Sequence, residues 1–150
     1  MKNIKNIEGK TLKHCRRQLG LTEKELGILM GFPEHNADVR IAQYESGKRR
    51  AKMKIIRKLS EILGICKYSI LPVSVENETA VMQTLMRIDT LYGLEMKNED
   101  GEIYMKFPNN CETINRYIKQ LYCLKEMLET GQISYDKYLY IKAAFGETVK

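Results

Sequence analysis

The chain has 150 residues, 43% apolar and 29% charged, with a net charge of +6, enough for one compact core or two small ones. Charge is uneven: residues 1–75 carry 16 Lys/Arg against 7 Asp/Glu, a net of +9, while residues 76–150 carry 9 against 12, a net of −3. No apolar run approaches the roughly 20 residues that cross a bilayer, the Lys-bearing start lacks the apolar stretch of a signal peptide, and the apolar content is too high for disorder. A cytoplasmic protein with no membrane association is expected, with a basic half suited to a polyanion and an acidic half with another task.

Cys15, Cys66, Cys111 and Cys123 form no C-x-x-C pair, and His14 and His35 form no paired-ligand spacing. Reduced thiols are expected, with Cys15 and Cys123 as small apolar helix residues, and neither a metal nor another cofactor. His14 and Cys15 are sequence neighbours, which point in different directions on a helix and make no nucleophile pair.

In chain order, Leu12, Cys15 and Leu19 recur at helical spacing, and Gly20 follows where a helix end favours a left-handed residue. Thr22-Glu23-Lys24-Glu25 reads as a capping box opening a second helix, with Leu26, Leu29 and Met30 on its apolar stripe and Gly31 closing it. Gly27 inside that helix costs about 1 kcal/mol against Ala, which a close helix contact would offset. Phe32 to Asn36 reads as a turn, and a third helix runs from about Ala37 to Tyr44 with Ile41 and Tyr44 inward. After the break at Ser46-Gly47, a fourth helix spans about Met53 to Leu63, ended by Gly64, and Cys66 to Leu71 reads as one more short turn of helix before Pro72. Helices this short are held by packing. Two short helices joined by a Gly-containing turn make a helix-turn-helix unit, and basic residues flank it, Lys48, Arg49 and Arg50 just after the third helix and Lys2, Lys5, Lys10 and Lys13 before or within the first, an arrangement suited to phosphates on either side of a groove.

Leu19 to Gly27, then Gly31, then Ile41-Ala42-Gln43-Tyr44-Glu45-Ser46-Gly47-Lys48-Arg49-Arg50, continued by Leu59 to Ile65, resembles the phage-repressor/Cro-like (XRE-type) helix-turn-helix over roughly residues 8–72. The resemblance implies a five-helix, lambda-repressor-like domain that binds operator DNA as a dimer. It implies an architectural ion pair between Arg16 and Glu45, base-reading positions at Asp38, Val39 and Gln43 with Arg40 close by, and backbone contacts from Lys48, Arg49 and Arg50. Gln43 suits adenine, Arg40 guanine or a phosphate, and Val39 a thymine methyl. Asp38 is open between accepting from cytosine and capping the helix. The span from Gly31 to Glu45 is about four residues longer than the family pattern, so the turn ahead of the third helix is extended. Glu23 stands where a Gln often touches phosphate, and its negative charge would abolish or move that interaction. Ala51 replaces a common Pro, and Arg57 a usual apolar residue.

The second half reads as a helix from Glu78 to Tyr92, a hairpin with alternating faces around Asn98-Glu99-Asp100-Gly101, a helix from Glu112 to Glu129, and a last helix capped by Ser134. Its tyrosines and methionines suit a core, a dimer interface or an effector groove. The pairs Glu99/Asp100 and Glu126/Glu129 sit in a turn and on a polar helix face, and no catalytic constellation is legible, so no enzyme is expected.

The expected fold is mainly α. A helix-turn-helix domain occupies 1–72 and folds when cut after Pro72, a linker 73–77, and a small α+β unit (helix–hairpin–helix–helix) 78–150. That second unit would serve dimerisation or meet a protein or small-molecule effector. The resemblance implies a sequence-specific, homodimeric transcriptional regulator, a repressor, on double-stranded DNA. The alternative is an antitoxin-like interaction protein whose C-terminal unit binds a partner protein.

Overall fold

The computed structural model describes residues 6–72 and 77–145. These are mainly helical: α1 (Ile7–Gln18), α2 (Glu23–Leu29), α3 (Ala37–Glu45), α4 (Met53–Leu63), α5 (Glu78–Tyr92), α6 (Glu112–Glu129) and α7 (Tyr135–Ala144), with one antiparallel pair of strands, β1 (Glu95–Glu99) and β2 (Glu102–Lys106). Lys2, Lys5 and all of the expected linker except Asn77 lie outside the described residues. Two compact units result, one holding the described residues up to Pro72 together with those from Met127 onward, the other those between.

In the first unit each helix starts and stops on local chemistry. Asn6 caps α1 by accepting from the Gly9 amide, and Thr22 with Glu25 forms the reciprocal capping box of α2, so orphan amides are satisfied before any tertiary contact forms. Gly64 closes α4 in the left-handed region at φ 63°. The apolar stripes of α1 to α4 meet in one core containing Leu12, Leu26, Ile41, Leu59 and Leu63. Truncating one such side chain to Ala costs about 2–5 kcal/mol.

One expectation is corrected here and two are made specific. The span from Cys66 to Leu71 holds its expected short turn of helix as a single 3-10 turn, Lys67–Ser69, so that the described residues up to Pro72 contain four α-helices and not five. The extended turn before α3 contains another, Glu34–Asn36, and takes up the extra residues so that α3 begins at Ala37. The largest change concerns α7, which was expected to complete a 78–150 unit. It packs instead on the first unit, where Ala143 joins the core and its carbonyl accepts from the Cys66 amide at 2.9 Å. Tyr140 donates to the Leu63 carbonyl at 3.3 Å, and His14 Nδ1 lies 3.0 Å from the Asp136 carboxylate. A chain ending at Pro72 would therefore lack part of its own core.

The second unit follows its sequence pattern locally. Asn77 caps α5, and Asp100 and Gly101 both have positive φ in the two-residue turn, which gives the register Glu95↔Lys106, Met96↔Met105, Lys97↔Tyr104, Asn98↔Ile103 and Glu99↔Glu102. Its apolar residues are not gathered into a core: between 77 and 126 only Leu124 is buried.

Candidate nucleic-acid interface

The third helix is positioned from beneath. Glu45, at its end, is buried and meets Arg16 of α1 through two hydrogen bonds, Nε to Oε1 at 2.5 Å and a terminal nitrogen to Oε2 at 2.9 Å. The other terminal nitrogen of Arg16 donates to the Leu21 carbonyl at 2.7 Å, so one guanidinium ties together α1, α3 and the loop entering α2. The hydrogen bonds to Glu45, with its charge and that of Glu23, hold the Arg16 pKa above its ordinary range against the opposing effect of burial. A bidentate pair of this kind fixes direction as well as distance.

Two close backbone approaches seat the helix. A Cβ on Gly27 would lie 2.4 Å from the Ala37 carbonyl oxygen, and one on Gly9 would lie 2.3 Å from the Glu45 carbonyl oxygen. The helical cost of Gly27 thus has its compensation: α2 and α3 cross with no room for a side chain. Asn6 adds a latch that the sequence did not announce, its Nδ2 donating to the Glu45 carbonyl at 2.7 Å.

The extended turn is braced at its own ends. Lys24 pairs with Glu34 at 2.8 Å, Lys58 donates to the Met30 carbonyl at 2.9 Å, and the Arg40 guanidinium lies 5.1 Å from the Phe32 ring centroid. Asn36, ahead of α3, gives no side-chain cap, and Asp38 sits in the first turn of the helix, not at its cap.

The outward side of α3 forms the floor of a shallow groove lined by Glu23, Asp38, Val39, Ala42, Gln43, Ser46 and Lys48. Asp38, Val39, Gln43 and Lys48 are brought together there. Arg40 is not among the lining residues and lies against Phe32. Arg49 and Arg50 are exposed in the loop beyond, where the Arg49 amide donates to the Gln43 carbonyl at 3.1 Å. None of Lys48, Arg49 and Arg50 has an ion-pair partner among the described residues. Ala42 and Ser46 join the groove unannounced, although both follow from helical arithmetic, four and eight residues after Asp38.

Electrostatically the groove is mixed. Its two carboxylates, Glu23 and Asp38, can accept hydrogen bonds from exocyclic base amines but repel phosphate. Glu23 has an oxygen 3.4 Å from Arg16, so its charge is turned toward a buried cation. Among the lining residues Lys48 is the one cation, and Arg49 and Arg50 follow it in the exposed loop. This is a division of labour suited to base edges in the middle and phosphate at the side. Among the described residues no three His, Cys, Asp or Glu side chains converge as metal ligands, and no helix is long and apolar enough to cross a membrane.

Neither a family model nor a curated protein matches the sequence. Among solved structures, the crystal structure of the transcriptional regulator BswR is similar, with a TM-score of 0.42 and 23% identity, covering 75% of this chain and 92% of that one. A likeness this distant assigns no function.

Proposed function

We propose that the protein is a sequence-specific DNA-binding transcriptional regulator, acting as a repressor, without enzymatic activity. The groove on α3 carries the reading: Val39, Gln43 and Asp38 line it together, with Lys48, Arg49 and Arg50 exposed immediately after the helix. In this reading α3 enters the major groove, Gln43 reads adenine, Val39 meets a thymine methyl, and Lys48, Arg49 and Arg50 hold phosphates. Arg40 reaches a phosphate or guanine only by leaving Phe32. A homodimer would set two such helices in successive major grooves, about 34 Å apart.

Selection of random duplex DNA by the full chain tests it. Enrichment of one sequence, repeated as two half-sites about one helical turn apart, is the expected result. Recovery of no preferred sequence at moderate salt overturns the proposal. The antitoxin-like reading has the exposed apolar side chains of the second unit in its favour, and co-purification of a stoichiometric protein partner that blocks DNA binding would support it instead.

A further inference from the structure

Among the described residues, the second unit presents exposed apolar side chains. Met96, Ile103 and Met105 share one face of the hairpin and are 64%, 62% and 50% exposed. An isolated two-stranded hairpin is at best marginal in water, and three or more strands with an apolar face are what stabilise a sheet. The two edges of this hairpin differ in what they can accept.

In a hairpin closed by two residues the flanking pair exchanges backbone hydrogen bonds, and bonded pairs then alternate along the ladder. Glu99↔Glu102, Lys97↔Tyr104 and Glu95↔Lys106 are therefore the bonded pairs. This leaves the amides and carbonyls of Ile103 and Met105 directed out of the sheet on the free edge of β2.

We propose that β2 is a homodimer interface: it pairs antiparallel with β2 of a second copy about a two-fold axis at Tyr104, giving a four-stranded sheet. In that register Ile103 faces Met105 of the second copy, and the two outward pairs exchange four backbone hydrogen bonds. Glu102 faces Lys106 of the second copy, twice, and the apolar faces of the two hairpins run together. The edge of β1 fails the same test. A two-fold at Lys97 would put Lys97 on its own copy and Glu95 on Glu99. A two-fold contact uses one patch on both copies and closes after two chains, which selects β2. The inference rests on the homodimer part of the proposed function and adds where the copies meet.

Two charge variants of the full chain test it by sedimentation velocity. Glu102→Lys removes no ion pair within the hairpin, because Glu102 stands opposite Glu99 and Lys106 keeps Glu95 at 2.7 Å. Glu95→Lys with Lys106→Glu reverses that internal pair without removing it. Each variant alone places two like-charge pairs across the axis and is expected to dimerise about tenfold more weakly than the parent. Mixed, the two variants face each other with opposite charges throughout, so a 1:1 heterodimer of parental affinity is expected. In the unmodified protein, amide exchange at Ile103 and Met105 is expected to slow as concentration rises.

A parent chain that stays monomeric, or that forms an open series of larger species, overturns the proposal. So do variants that dimerise alone as tightly as the parent, a mixture that gains nothing, or exchange at those two amides that is indifferent to concentration. A dimer insensitive to these charges would overturn the β2 edge while leaving the DNA-binding reading to be judged by the site selection.

Discussion

A Cβ built on Gly27 falls 2.4 Å from the carbonyl oxygen of Ala37, so the crossing of α2 and α3 is set by the absence of a side chain at one position. The obstructing atom is backbone in the first turn of the helix that carries the groove.

Gly27→Ala is therefore expected to destabilise the protein by about 1–3 kcal/mol through overpacking, although Ala is favoured over Gly by about 1 kcal/mol within a helix. Urea unfolding followed by circular dichroism measures the sum. A stabilised variant would mean that α2 and α3 separate at little cost.

Arg16→Met leaves the Glu45 carboxylate buried without its cation. A loss of about 3–5 kcal/mol is expected, measured in the same way. Arg16→Met combined with Glu45→Met should recover much of it, because both charges are then gone. A double variant as unstable as the single one would show that the pair is not an isolated unit.

Arg49→Glu with Arg50→Glu is expected to weaken binding to every DNA sequence. It should also flatten the dependence of log affinity on log salt by about one for each phosphate no longer neutralised. Gln43→Ala is expected to cost about 1–3 kcal/mol at one base position and to leave the salt slope unchanged. Fluorescence anisotropy over a salt series separates the two effects. Equal slopes for the parent and the Arg variant would remove those residues from the phosphate face.

Burial pushes the Cys15 thiol from 9.0 up to about 11, so the folded chain holds this proton more tightly than the unfolded one. The stabilisation is complete below the unperturbed thiol value of 9.0 and is lost as pH rises from there toward 11. Iodoacetamide at pH 8 is expected to label exposed Cys123 and spare Cys15, read by mass spectrometry of the folded protein. Equal labelling of both would show that α1 opens on that timescale.

Truncation after Pro72 removes the Ala143 carbonyl from the Cys66 amide and the Tyr140 hydroxyl from the Leu63 carbonyl. The fragment is expected to melt at a lower temperature and with less cooperativity than the full chain by calorimetry. Adding back a peptide of residues 127–145 should restore part of the loss, and parental stability of the bare fragment would make α7 dispensable.

Local order was written into the residues themselves. The capping box at Thr22 and Glu25, the bounds of α5 and α6, the Asp100-Gly101 turn and the place of α3 follow from spacing and caps that act within a few residues. So does part of the groove, because Val39 with Gln43 and Asp38 with Ala42 stand four residues apart and stack along the helix; only the folded structure brings both rows to one groove. Tertiary structure alone decided that Asn6 latches Glu45 across 39 positions, that Tyr140 reaches Leu63 across 77, and that Arg40 turns to Phe32 and away from the groove. Periodicity reveals which side of a helix is apolar but not which partner covers it. The pattern of α7 was visible, therefore, and its place against the first unit was not.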